Sequence, residues 1–194
     1  MITDSAFAYE VHAQEFLRGR DASMIGSVVV EQWARTLPTG SEVLELGCGA
    51  GYPITRALQS TELKLWAIDS STSLVKEFKQ RFPTIPVRCE KVQNSDFFKR
   101  TYQAAIAIGL LFLLPENEQL VLIERVAKVL VPSGRFLFTA PIEIGEWNDL
   151  NTGIVCHSLG RERYESSLNS AGFRIARTFV DKGKNNYYEA ERIN

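Results

Sequence analysis

The chain has 194 residues, 45% of them apolar, and its 22 basic and 23 acidic residues leave a net charge of −1. A single domain of this size buries roughly 70% of the surface its unfolded form exposes, so it needs no disulfide or metal staple, and 11 Phe, 6 Tyr and 3 Trp exclude a disordered segment. The near-neutral balance, with no block of like charge, speaks against a nucleic-acid partner, whose binder carries a basic stripe.

Residues 1–38 are expected to be helical, a cap ahead of the main fold. Tyr9, Ala13, Phe16 and Leu17 share one helical face, and Val28, Val29, Trp33 and Ala34 form a second segment that stops before Leu37-Pro38. Pro38-Thr39-Gly40 is turn chemistry. Residues 41–194 are expected to form the core of one domain. Glu42 to Leu46 reads as a strand running into a glycine cluster, and Pro53 suits the first turn of a helix through Ala57 and Leu58. Lys64 to Ile68 is a strand, Ser71 to Phe82 a helix, Val87 to Glu90 a short strand, and Ala104 to Ile108 an apolar strand covered on both faces. Glu116 to Leu130 is a helix with acids in its first turn and Lys128 in its last. The turn Val131 to Gly134 leads into the strand Arg135 to Thr139.

Residues 141–160 carry Gly145, Asn148, Asp149, Asn151, Gly153 and Gly160 and read as a long irregular insertion, of the kind that usually serves function. Arg161 to Ala171 returns to helix, and Phe173 to Val180 with Tyr187 to Arg192 suit an antiparallel hairpin at the sheet edge. Strict alternation of strand and helix predicts an α/β fold, a doubly wound, mostly parallel sheet.

The three cysteines, Cys48, Cys89 and Cys156, fit no C-x-x-C pattern, so free thiols and no metal are expected. The start, MITDSAFAYE, lacks a basic region followed by an apolar run, and the longest apolar run, Ala104 to Leu114, is too short to cross a bilayer. A cytoplasmic protein with no membrane partner is the expectation.

Glu45-Leu46-Gly47-Cys48-Gly49-Ala50-Gly51 lies between the first strand and its helix, where glycines let the backbone turn and a ligand approach. It misses the dinucleotide pattern G-x-G-x-x-G, because Tyr52 stands at the third glycine position. Asp69, with Ser70 beside it, closes the strand ending at Ile68, where a carboxylate accepts from both hydroxyls of a ribose. Past the third strand, Asp96 is placed to accept from an exocyclic amine, with Ser95 beside it and Phe97 to pack on a purine. Together these describe an adenosine site without a device for phosphates.

On these residues the chain resembles the class I S-adenosylmethionine-dependent methyltransferases. The resemblance covers nearly everything from about residue 40: the E-L-G-C-G-A-G run, Asp69 as the ribose acid, Ser95-Asp96-Phe97 as the adenine segment, Gly109-Leu110 as the border of the methyl-donor end, and Leu130 to Arg135 as the turn before the fifth strand. It implies a sheet of seven strands in the order 3-2-1-4-5-7-6, S-adenosyl-L-methionine as cofactor and S-adenosyl-L-homocysteine as product. Gln103 stands where members often carry an acid, and the Asn/Asp-Pro-Pro-Tyr signature of enzymes that modify DNA bases or glutamine is missing, since the chain there reads Gly109-Leu110-Leu111-Phe112. A small-molecule acceptor is therefore expected.

Glu45 is expected to orient the ligand's amino group or a water, and Cys48 to act as a small residue presenting its backbone N–H. Gly47, Gly49 and Gly51 are expected to line the methionine and ribose moieties. His12, His157 and Tyr9 are the candidate bases, and the acceptor pocket is expected between the N-terminal helices and residues 141–160. Two rivals stand beside methyl transfer: a non-catalytic protein that binds the same cofactor or a partner, and a nicotinamide-dependent oxidoreductase.

Overall fold

The computed structural model describes residues 4–193. Its elements in chain order are α1 (Ser5–Val11), α2 (Ala13–Asp21), α3 (Ser27–Ala34), β1 (Glu42–Leu46), α4 (Ile54–Gln59), β2 (Lys64–Asp69), α5 (Thr72–Arg81), β3 (Val87–Cys89), β4 (Tyr102–Ala107), α6 (Glu116–Val129), β5 (Leu130–Thr139), β6 (Ile144–Asn148), β7 (Val155–Leu159), α7 (Arg161–Ser170), β8 (Phe173–Val180) and β9 (Asn186–Arg192). The main sheet has the order β3-β2-β1-β4-β5-β9-β8, and β6 and β7 pair separately. The first five strands of the main sheet run parallel, and β9 enters antiparallel between β5 and β8. With the small β6–β7 sheet set aside, this is the expected seven-strand order.

Side chains alternate across the sheet with the two-residue period of a strand. Val43, Leu65, Ala104, Ile106 and Leu137 point to the face that α3 and α4 cover with Trp33, Ile54 and Leu58. Leu44, Leu46, Ile68, Ala105, Phe136 and Phe138 point to the other face, under Leu122, Ile123 and Val126 of α6 and Tyr164 and Leu168 of α7. Each large side chain removed from water in this way stabilises by about 1.5–3 kcal/mol. On the first face the sheet also buries Glu189 of β9. It accepts from Trp33 Nε1 at 3.1 Å and is paired by Arg135 and Arg177, so its charge is fully matched.

Two expectations change. Residues 141–160 are not irregular: Ile144–Asn148 and Val155–Leu159 form an antiparallel hairpin with Trp147 opposite Cys156. Asp149 organises its tip, with Oδ2 accepting from Asn151 N at 3.1 Å, Thr152 N at 2.9 Å and Thr152 Oγ1 at 2.7 Å. The strand–helix alternation also fails once. Between β3 and β4 there is no α-helix, only a short 3-10 turn at Phe97–Lys99 whose three residues all have positive φ.

Candidate functional site

The carboxyl ends of β1, β2, β4 and β5 open into a cavity of about 550 Å³, within the range typical of small-ligand sites. Its roof comes from α1, α2 and the β6–β7 hairpin, with Tyr9, Phe16 and Asp149 among the lining residues. These elements form a lid by contact. The Tyr9 ring packs edge-on to Phe16 at 5.1 Å, and its hydroxyl donates to Asp149 Oδ1 at 3.4 Å.

The floor starts at the turn after β1. Gly47 N and Cys48 N both donate to Ile68 O, at 2.8 and 3.1 Å, which pins the turn to β2. Gly49 N then donates to Asp69 Oδ2 at 2.8 Å, while Asp69 Oδ1 accepts from Ser71 N at 2.9 Å. Asp69 is thereby held by backbone on both oxygens, and a carboxylate has about four lone-pair sites, so two remain for a ligand. Burial pushes its carboxyl above the usual range, and the backbone N–H groups pull it partly back. Ser70 lines the cavity beside it.

Gly49 has φ +55°, and a Cβ there would meet the Phe16 ring at 3.3 Å, so the turn and the lid approach too closely for a side chain. Gly51 is different. It does not line the cavity, and its added Cβ would lie 2.2 Å from the Phe82 ring at φ +88°. Its smallness serves packing of the turn against α5, which corrects the expectation of a ligand contact.

Glu45 is 3% exposed, on the cavity floor, and Thr55 Oγ1 donates to its Oε2 at 2.7 Å. Burial pushes its carboxyl up to about 8, with Asp69 adding to the rise and the Thr55 bond opposing it. Cys48 lines the cavity as well, and burial together with the charges of Asp69 and Glu45 holds its thiol well above the ordinary range, which keeps it in the protonated form. At the end of β4, Gly109 N donates to Thr139 Oγ1 at 2.8 Å, and Leu110 packs against Gly47 with Cδ1 3.3 Å from where a Cβ would stand.

The segment after β3 departs most from expectation. Asp96 is exposed, outside the cavity and paired with Arg88, which holds its carboxyl below the usual range. Phe97 is buried in the core under Arg125, whose guanidinium lies 4.6 Å from the ring. Ser95 Oγ donates to Glu90 Oε1 at 2.6 Å and accepts from Phe97 N at 2.9 Å. None of the three faces the cavity. Lys91, Val92 and Gln93 line it instead. Arg125 of α6 shapes that stretch by donating to Val92 O at 2.6 Å, to Gln93 O at 2.7 Å and to Ser95 O. An arginine so far along the chain leaves no local sequence signal.

Neither histidine lines the cavity. His12 Nδ1 lies 3.3 Å from Glu15, and His157 Nδ1 lies 2.9 Å from Glu146 on the outer side of the hairpin, which corrects their standing as candidate bases. Tyr9 does line it. Burial and the charge of Asp149 raise its hydroxyl above the usual phenol range. Trp147 packs on Phe112 at 5.4 Å, bracing the hairpin against the segment after β4. Sequence reading missed Phe16, Arg20 and Asn185, all on the cavity wall. Phe16, Gly19 and Arg20 do share the i, i+3, i+4 spacing of one helical face, which was the available signal.

A doubly wound sheet in this order, with a glycine turn after its first strand and a backbone-held acid at the end of its second, defines a Rossmann-like domain. Residues 43–134 match the family described as "Methyltransferase domain". That match spans just under half of the chain, and the fold as a whole is shared with solved methyltransferases. Among solved structures, the 1,6-didemethyltoxoflavin-N1-methyltransferase of Burkholderia thailandensis, with bound 1,6-didemethyltoxoflavin and S-adenosylhomocysteine, is 16% identical with a TM-score of 0.76, covering 100% of this chain and 92% of that one. An amino pentose methyltransferase from Micromonospora echinaspora, bound to S-adenosylmethionine, is 16% identical with a TM-score of 0.73, covering 92% of this chain and 95% of that one. A tRNA U34 carboxymethyltransferase of Idiomarina loihiensis is 24% identical over 95 residues, which span 42% of this chain and only 29% of that protein. Among the described residues no helix is long and apolar enough to cross a membrane, and no cluster of His, Cys, Asp and Glu is set to hold a metal ion.

Proposed function

We propose that this chain is an S-adenosylmethionine-dependent methyltransferase acting on a small-molecule acceptor held between the N-terminal helices and the β6–β7 hairpin. The observation that carries the reading is Asp69, fixed by Gly49 N–H and Ser71 N–H at the cavity edge with lone pairs left for a ribose. The toxoflavin-type neighbour and the near-neutral charge support a small acceptor.

S-adenosylmethionine supplies an electrophilic methyl group on a sulfonium. The protein's work is then to hold and to exclude. Asp69 would accept from the ribose hydroxyls, Val92 and Gln93 would flank the adenine, and Glu45 would face the amino group of the methionine moiety. Phe16 above Gly49 and Leu110 beside Gly47 narrow the passage to the sulfur and shed water from it. Aligning the acceptor's nucleophilic atom with the methyl group would be worth about 7–11 kcal/mol, with the sulfur leaving as neutral S-adenosylhomocysteine and any proton on the nucleophile passing to solvent. Asp149, hydrogen-bonded to Tyr9, is the carboxylate at the lid side of the cavity, placed to accept a hydrogen bond from an acceptor N–H or O–H.

Calorimetric titration with S-adenosylhomocysteine, and with NADH as control, tests the reading. The wild type should bind the homocysteine compound and not NADH, and Asp69→Asn should lose about 1.5–3 kcal/mol of that binding as charged hydrogen bonds to ribose weaken. Binding of NADH alone would hand the site to a nicotinamide enzyme. Binding of the homocysteine compound without methyl transfer to any small acceptor in a labelled-methyl screen would favour a non-catalytic binder.

A further inference from the structure

Two cations line the cavity, and they differ in one respect. Lys91 is paired with Asp4 at 2.5 Å. Arg20, in the last turn of α2, has no hydrogen bond or ion pair among the described residues, although it is half-buried and its electrostatic neighbours are the phenols of Tyr187 and Tyr9. Burial lowers the pKa of its guanidinium, and no opposing carboxylate offsets that cost. A guanidinium offers five donors in a rigid fork that matches a carboxylate or phosphate, and leaving it unpaired in a half-dry site is expensive. Such a group marks where a ligand brings the missing anion.

Its position says which ligand. The cavity crosses the ends of five neighbouring strands, in the order β2, β1, β4, β5 and β9. At about 4.8 Å per strand, Asp69 on β2 and Tyr187 on β9 sit at opposite ends of a span of roughly 19 Å. The proposed cofactor occupies the β2–β1 end, with its sulfur over the glycine turn. Arg20 neighbours Tyr187, and Asn185 lies on the same wall, at the end the cofactor leaves free.

We propose that Arg20 is the specificity-determining residue for the acceptor, binding an anionic group, a carboxylate or a phosphate, carried by the molecule to be methylated. This rests on the methyl-transfer reading and narrows it. The aromatic walls contributed by Tyr9 and Tyr187 leave the body of that acceptor to apolar contact, so the anion fixes its orientation and aims the nucleophilic atom at the methyl group.

The test uses the full chain saturated with S-adenosylhomocysteine and titrated with benzoate, phenyl phosphate and neutral benzamide. At least one anion should bind about tenfold or more tightly than benzamide, the better of the two identifying the group. Arg20→Met should erase that preference, Arg20→Lys should restore part of it, and affinity for S-adenosylhomocysteine should stay within about twofold in both variants. Equal binding of the three probes by the wild type overturns the proposal, as does an anion preference that survives Arg20→Met. A loss of S-adenosylhomocysteine affinity in Arg20→Met, with methylthioadenosine binding unchanged, also overturns it, because the guanidinium would then serve the cofactor's own carboxylate. Failure of the wild type to bind S-adenosylhomocysteine defeats the methyl-transfer reading first and this proposal with it, whereas intact binding without anion preference defeats this proposal alone.

Discussion

Glu10 of α1 and Ser71, the N-cap of α5, are joined by a hydrogen bond of 2.5 Å from Ser71 Oγ to Glu10 Oε2. The same carboxylate accepts from Ser73 N at 3.0 Å and Ser73 Oγ at 2.7 Å. Ser71 N in turn donates to Asp69. The lid is therefore tied, through the positive end of a helix, to the acid proposed to hold the ribose.

Cutting this tie should weaken the site without unfolding the sheet. Glu10→Ala is expected to lower S-adenosylhomocysteine affinity about tenfold through lost charged hydrogen bonds, with the global melting temperature nearly unchanged. The serine donors hold the Glu10 carboxyl below its ordinary value. A depressed carboxyl contributes stability above the unfolded value and loses it as pH falls through the folded one. The protection of α1 amides, taken against the intrinsic exchange rate at each pH, should fall below about pH 4.5, the ordinary glutamate range. Unchanged protection between pH 7 and pH 4 would contradict the latch.

Glu45 should act in the opposite sense. Its carboxyl, ordinarily near 4.5, is raised to about 8 in the folded chain by burial. Between those values the folded state keeps a proton that the unfolded state has released, so stability falls as pH rises across the window. The slope for one such group is at most about 1.4 kcal/mol per pH unit. Urea midpoints at pH 5, 6.5 and 8 should decline for the wild type and stay flatter for Glu45→Gln, which keeps an acceptor for Thr55. Parallel pH profiles for the two proteins would show that Glu45 is already ionised in the fold.

Arg125 and Asp96 make a contrasting pair. Arg125→Met removes the donors to Val92 O, Gln93 O and Ser95 O, leaving a half-buried loop unsupported. S-adenosylhomocysteine affinity should fall about tenfold, with a lower melting temperature. Asp96→Asn breaks only an exposed pair with Arg88, which is worth less than about 1 kcal/mol. Its affinity should stay within about twofold of the wild type. A larger loss in Asp96→Asn than in Arg125→Met would return the adenine contact to Asp96.

How far the sequence reveals these parts depends on how local each one is. The apolar run from Ala104 to Ala107 and the glycine turn after Leu46 are written in consecutive residues, so the parallel order and the floor of the cavity could be read from them. Asp96 follows β3 where an adenine contact is expected, but the left-handed turn at Phe97–Lys99 turns the segment so that its carboxylate meets Arg88. Gly51 looks like a ligand contact because the pattern around it is glycine-rich, whereas its constraint comes from Phe82, just past the end of α5. The hairpin from Ile144 to Leu159 eluded the pattern because β6 is mostly exposed, with no buried apolar alternation to betray a strand. What remained hidden was set by partners far away in the chain.

The placement of β9 between β5 and β8 bears on how the molecule is made. Chains fold from the N-terminus as they emerge during synthesis. When β8 is complete, its only hydrogen-bonded neighbour in the sheet has not yet been translated, and the side of β5 that β9 will take is also bare. Both present unpaired strand edges, the surfaces on which nascent chains stick to one another. The addition of Asn186–Arg192 closes both gaps at once and brings Tyr187 to the cavity wall. Closure of the sheet and completion of the pocket wall are thus one event, and both wait for β9.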